Sequence, residues 1–228
     1  MKILIIRFSS IGDIVLTTPV IRTLKKQLGA EVHFLTKTSF KAVLEANPYI
    51  DELICIKKEV KEVLPQLKAN QYDHIIDLHK NLRSLQVKQA LKAKSHAFDK
   101  INWQKWLIVN LKINRLPTVH IVDRYLDTVT PLGVKNDGQG LDYFIPAHEE
   151  VNIKDFFGDL LLGSNPQYIA FVIGAAHATK RLPLEKIIAL CQKIQLPIVL
   201  LGGPDERKVG QPIAASGGLT TRVRPNKA

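Results

Sequence analysis

The chain has 228 residues, 46% hydrophobic and 23% charged, enough apolar content for a real core in one large domain or two small ones. Lys and Arg number 32 against 21 Asp and Glu, a formal charge of +11 that points to an anionic partner such as nucleic acid, phospholipid or a phosphorylated substrate. No zinc-finger spacing, RNA-recognition aromatic motif or basic zipper accompanies the charge. No apolar run has the length of a membrane span, and the N-terminal apolar patch is too short for a signal-peptide core, so a nucleic-acid module, a spanning protein and a secreted one are all set aside.

Residues 2–8 are an apolar run without polar alternation, as in a strand buried on both faces of a parallel sheet. Residues 9–13 break it with small and turn-forming side chains. Leu16, Val20, Leu24 and Leu28 then fall four apart with Ile21 beside them, one apolar helical face, with Pro19 near the helix start and Thr18 as N-cap. Asp13 sits where the first strand ends, the rim at which open α/β sheets bind ligands. Two readings of it compete: a helix cap favoured by the helix dipole, and a general base in a cleft. A dinucleotide-binding turn reads G-x-G-x-x-G, and this one holds only Gly12, which argues against a nicotinamide dehydrogenase.

Strands are expected next at 31–35, 52–56 and 73–78, alternating with helices after Ser39, over Val60 to Leu67, and from residue 79 onward. This alternation marks a doubly wound parallel sheet. Cys55 and Cys191 both lie in apolar runs and read as reduced core residues, not as a disulfide or metal pair. His79, Lys80, Asn81 and Arg83 follow the fourth strand and can hydrogen-bond hydroxyls, carboxylates or phosphates; the other reading is a solvated basic helix face. His120 and Arg124 share a helical face that either meets the cleft or stays on the surface. Residues 141–146 read as an edge strand and 158–166 as a linker. A second strand–loop–helix–strand pattern then runs from residue 168 to 206.

Residues 7–19 closely resemble the opening of glycosyltransferase family 9, whose pattern S-S-x-G-D-x-x-x-T-x-P stands here from Ser9 to Pro19, with Ser10, Gly12 and Asp13 inside it. The D-x-x-x-N-x-R-S stretch from Asp77 to Ser84, the H-x-x-x-R-Y-L stretch at His120 and the G-G-P-x-E segment ending at Glu206 follow in the family's order. The resemblance implies an α/β fold of the GT-B type, two Rossmann-like domains with parallel sheets facing a cleft. It implies transfer of heptose from ADP-heptose to a lipopolysaccharide-core acceptor with inversion. In that reading Asp13 is the catalytic base, which decides its case over capping. Ser10, Gly12, His79, Lys80, Asn81, Arg83, His120 and Arg124 belong to the acceptor side. Thr179 and Lys180 hold the donor's pyrophosphate, and Glu206 its ribose. The resemblance implies no metal and no cofactor beyond the ADP-heptose donor.

The domains are expected at 1–157 for the acceptor and 158–209 for the nucleotide sugar, the latter incomplete, with a disordered tail at 210–228. A D-x-G-x-x-H motif that the family carries further downstream has no match here, so an inactive fragment that keeps only acceptor or anionic-lipid binding is the alternative. The expected protein is a cytoplasmic monomer that binds no nucleic acid. It is peripheral on the inner membrane, held by its anionic surface. Nine Lys or Arg and one acid, Asp99, lie between Lys80 and Arg115, and Trp103 and Trp106 fall within that basic stretch. Trp beside Lys suits a membrane interface; buried tryptophans among solvated lysines are the other reading.

Overall fold

A computed structural model describes residues 1–150, 152, 167–175, 177–216 and 221–223, which fall into two compact units, Met1–Glu149 and Glu150–Ala228. In the first unit, β1 (Lys2–Ile6), β2 (Glu31–Lys37), β3 (Glu52–Ile56), β4 (His74–Asp77) and β5 (Lys94–Ala97) form one sheet in the order β3-β2-β1-β4-β5. Every described pairing in it is parallel. β1 is central, which explains its unbroken apolar run: Ile3 and Ile5 feed the core on one face, Leu4 and Ile6 the core on the other. Burying four such side chains is worth roughly 2 kcal/mol each, so this strand anchors both layers.

The first helical segment divides into α1 (Ile11–Val15) and α2 (Thr18–Leu28), where the sequence suggested one helix capped by Thr18. Pro19 has no N–H to give to the Val15 carbonyl, which accepts from the Thr18 hydroxyl at 2.8 Å instead. Pro19 is tolerated because it lies in the first turn of α2, whose N-cap is Thr17. Gly29, at φ 58°, ends α2 in the left-handed conformation. Val20, Ile21 and Leu24 bury its inner face against β1 and β2.

Three expectations are corrected here. Residues 141–146 are not a strand. The segment is held instead by Arg22, buried in α2, which donates to both carboxylate oxygens of Asp137 at 2.8 Å each and also meets Asp142 and the Gly140 carbonyl. β5 was not foreseen, because its sequence Lys-Ser-His-Ala has no apolar run. As an edge strand it needs only one paired side, and Lys94 suits an exposed edge. The expected tail also has structure where it is described. In the second unit β6 (Ile169–Val172), β7 (Ile198–Leu201) and β8 (Thr221–Val223) pair in parallel, and the helix Arg207–Ser216 precedes β8. The expected linker at 158–166 lies outside the described residues.

The remaining α-helices among the described residues are α3 (Leu64–Ala69), α4 (Leu82–Leu91), α5 (Asn102–Leu111), α6 (Ile121–Leu126), α7 (Leu184–Lys193) and α8 (Arg207–Ser216). Asn81 caps α4, its side-chain oxygen accepting from the Ser84 N–H at 3.0 Å. Ile187 and Cys191 of α7 pack with Ile198, Leu200 and Ile213 in the second core.

Candidate active site

In the order β3-β2-β1-β4-β5, the chain leaves β1 toward β2 on one side and finds β4 on the other. The carboxyl ends of β1 and β4 therefore flank the topological switch point, where open α/β sheets place their ligands. The register sets Ile6 beside Asp77. Arg7 and α1 follow β1 there, and His79 follows β4. A cavity of about 540 Å³ opens at this point, lined among others by Arg7, Asp13, His79, Lys100, Arg124 and Tyr125.

Asp13 stands in the first turn of α1. Its Oδ2 accepts from the Ser10 N–H at 3.2 Å and from the Ser10 hydroxyl at 3.0 Å, and lies 2.7 Å from Arg7 Nη2. The capping role and a place in the cavity thus coexist on one side chain. Partial burial pushes its pKa up, but the Ser10 bonds and the Arg7 guanidinium outweigh that and hold it below the ordinary carboxylate range. His79 is driven the other way. Burial first, then the charges of Arg7 and Lys100, lower it to about 4, so the ring is neutral at pH 7. Its Nδ1 is buried without a hydrogen-bond partner, and its ring meets Phe8 edge-on at 5.3 Å. Arg124, on α6, donates to the Asp99 carbonyl and lies over the Phe98 ring, 5.8 Å from its centre.

The other residues expected on the acceptor side do not gather here. Asn81 and Arg83 line a separate cavity of about 570 Å³, with Lys58 and Lys61 opposite them. Lys80 is exposed, and its N–H is spent on Asp77 Oδ1 at 2.6 Å. Asp77 itself is buried; Lys88 Nζ lies 3.0 Å from its Oδ2, an ion pair outside hydrogen-bond geometry. His120 caps α6, its Nδ1 accepting from the Val122 N–H at 3.3 Å, and Gly12 has open space around its Cα. Sequence reasoning missed Arg7, Lys100 and Tyr125. Arg7 was visible as a charge at the end of an apolar strand, whereas Tyr125 lies 118 residues away and only folding brings it in.

In the second unit Glu206 is held on a 3-10 turn (Pro204–Glu206), its Oε2 accepting from the Gly203 N–H at 2.9 Å. Gly174 and Gly202 make room for it: a Cβ on either would come within 2.7 and 2.8 Å of the Glu206 side chain. Glu206 and Arg181 line a cavity of about 430 Å³ at the carboxyl ends of β6 and β7. Arg181 Nε donates to the Ala175 carbonyl at 2.6 Å, and Nη2 lies 3.8 Å from Glu206 Oε1. Thr179 and Lys180 are exposed on the preceding 3-10 turn and are not among the residues lining that cavity. Among the described residues no cluster of His, Cys, Asp and Glu could hold a metal ion.

The sequence model of glycosyltransferase family 9 (heptosyltransferase) matches residues 60–221. Lipopolysaccharide heptosyltransferase 1 of Campylobacter coli is 26% identical over 214 residues, which cover 85% of this chain and 60% of that protein. Lipopolysaccharide heptosyltransferase 3 of Escherichia coli (strain K12) is 29% identical over 137 residues, covering 54% and 40%. The chain thus spans 60% of the length of the first of these relatives and 40% of the second. Among solved structures, a glycosyl transferase family 9 protein from Veillonella parvula DSM 2008 superposes with a TM-score of 0.77 at 24% identity, over 97% of this chain and 68% of that one. The E. coli heptosyltransferase WaaC with ADP gives 0.72 at 22% identity, over 100% and 75%. These likenesses show the α/β fold to be of the GT-B type. The match to the family's sequence model takes in well over half of the chain, so the chain belongs to glycosyltransferase family 9.

Proposed function

We propose that the protein transfers heptose from ADP-heptose to a lipopolysaccharide-core acceptor with inversion, with Asp13 as general base. The observation that carries this reading is the placement of an ionised carboxylate in a cation-lined cavity at the switch point of the first sheet. Family membership, lipopolysaccharide heptosyltransferases as relatives, and the neighbour WaaC bound to ADP-2-deoxy-2-fluoro heptose support the donor and the reaction. In the step, the acceptor oxygen forms a bond to the anomeric carbon from the face opposite ADP. The bond from that carbon to the diphosphate oxygen breaks, and the hydroxyl proton passes to Asp13. The lowered pKa keeps Asp13 ionised at neutral pH and makes it a weak base toward a resting hydroxyl. It therefore takes the proton as the new bond forms and the hydroxyl becomes acidic.

The first unit takes the acceptor in this reading and the second the donor, the division foreseen at 1–157 and 158–209. Arg7, Lys100 and Arg124 give the first cavity a charge suited to the acidic groups of an acceptor, and neutral His79 offers a hydrogen bond without adding charge. Glu206 takes the donor ribose, and Lys180 with Arg181 the diphosphate that leaves.

The protein works as a monomer docked on the anionic cytoplasmic surface of the inner membrane. Support comes from α5, where Trp103 is 66% and Trp106 47% exposed, the rings stacked at 5.2 Å and within 9° of parallel. That orientation favours the interfacial reading of the two tryptophans over the buried one. Among the described residues no helix is long and apolar enough to cross a membrane.

The reading is tested by Asp13→Asn, measured as heptose transfer and as ADP affinity. Turnover falls by roughly 10²–10⁴ while ADP binding is kept. Lost stability with an unchanged rate would leave Asp13 as a helix cap alone.

A further inference from the structure

Arg7 is buried at the end of β1, yet all three of its nitrogens have fixed acceptors drawn from separate parts of the first unit. Nε donates to the Ser9 carbonyl at 2.7 Å, and Nη1 to the Leu78 carbonyl at 2.5 Å and the Tyr125 hydroxyl at 2.9 Å. Nη2 lies 2.7 Å from Asp13 Oδ2. The guanidinium thus spans the end of β1, the end of β4 and α6. Tyr125 is itself buried, edge-on to Phe98 with ring centres 5.0 Å apart, so its hydroxyl cannot drift. The contacts Asp13 makes to Ser10 and Arg7 all go to Oδ2. That clamp sets the rotation of the carboxylate and leaves Oδ1 for a ligand in the cavity.

We infer that Arg7, held by the Tyr125 hydroxyl, is the positioning residue for the base: it fixes Asp13 through Oδ2, presents Oδ1 to the acceptor hydroxyl, and ties the base to α6, whose Arg124 lines the same cavity. The inference rests on the reading of Asp13 as the base. A buried fork with three anchored nitrogens can hold a carboxylate within the narrow geometry that proton transfer requires, which a mobile lysine at the same place could not. The arrangement also accounts for a feature that bare capping leaves unexplained. A cap needs only the Ser10 N–H, whereas a buried arginine has been brought to the same oxygen from the strand end.

The experiment reads two quantities. The carboxyl carbon of Asp13 is titrated by NMR in the 228-residue chain, and heptose transfer is followed for the same variants. Tyr125→Phe keeps the ring packed on Phe98 and removes only the hydroxyl. It moves the Asp13 titration upward and lowers turnover roughly tenfold with the acceptor KM unchanged. Arg7→Gln moves the titration upward further, because it removes the charge that holds Asp13 down. If Arg7→Gln does not fold, Tyr125→Phe decides alone. An Asp13 midpoint that neither variant shifts, or a Tyr125→Phe turnover equal to the parent, overturns the positioning role. That failure is distinct from failure of the base itself, which Asp13→Asn reports: a full rate in Asp13→Asn removes the base while the titrations still judge the clamp.

Discussion

Arg22 on α2 grips Asp137 with two parallel hydrogen bonds of 2.8 Å, and this pair fastens the segment after α6 to the first core. Arg22 is buried, and its bond to Asp137 is the largest influence lowering that carboxyl, to about 2. Removing the guanidinium leaves two carboxylates, Asp137 and Asp142, without their partner. Arg22→Met should therefore cost roughly 3–5 kcal/mol of stability in denaturant unfolding at pH 7. The sign of the acid dependence follows from the lowered pKa. The contribution of Asp137 is complete above its unfolded value near 4 and is lost as pH falls toward about 2, a change of about 2 kcal/mol. Asp137→Asn should flatten that part of the stability profile, and an unchanged profile would show that the pair does not carry it.

His79 should titrate near pH 4, because burial, Arg7 and Lys100 all disfavour its charge, while Asp77 and Asp13 favour it less strongly. The unfolded chain takes up that proton near pH 6.5, so stability should decline as pH falls from there toward 4. Imidazole NMR shifts measured from pH 3 to 8 decide the first point, and His79→Gln should remove the second. A midpoint near 6.5 would mean that the ring is solvated and carries no special role in the cavity.

The cavity beside Glu206, proposed to take the donor, can be probed with ADP. Glu206→Ala and Arg181→Ala should each weaken ADP about tenfold, since a charge-assisted hydrogen bond is lost in each case. Lys180→Ala should cost less, because Lys180 does not line that cavity. Gly174→Ala should match the loss in Glu206→Ala, because the added methyl would stand 2.7 Å from the Glu206 side chain and displace it. Calorimetric titration separates these variants, and parent-like affinity for all of them would move the donor site elsewhere.

The exposed face of α5 should bring the protein to vesicles containing anionic lipid and not to zwitterionic ones, with release as salt rises. Each basic residue near such a surface is worth about 1 kcal/mol, and the stretch from Lys80 to Arg115 carries a net +8, nine basic residues less Asp99. Trp103→Ala with Trp106→Ala should reduce co-sedimentation by roughly tenfold or more, since each exposed indole loses its place among the headgroups. Binding equal to the parent would place docking on another face.

The strand and helix alternation, the family motif and Asp13 were legible in the sequence. Each is written in local spacing: an unbroken apolar run for β1, a four-residue apolar period for α2, a short turn between them. β5 was not legible, because an edge strand can be polar without penalty. Nor was the fate of residues 141–146, whose alternation suited a strand until Arg22, 120 residues before Asp142, captured them by charge. The residues expected on the acceptor side show the same division. His79 and Arg124 line the same cavity as Asp13, while Arg83, four positions after His79, lines another because α4 begins at Leu82 and carries it away. The sequence by itself determined the apolar central strands, the first helices and the family they belong to, since those depend on neighbours a few residues apart. Only the tertiary structure decided that Arg7 reaches both Asp13 and the Tyr125 hydroxyl, that Arg181 faces Glu206, and that Trp103 is exposed, because each depends on how distant parts of the chain are brought together.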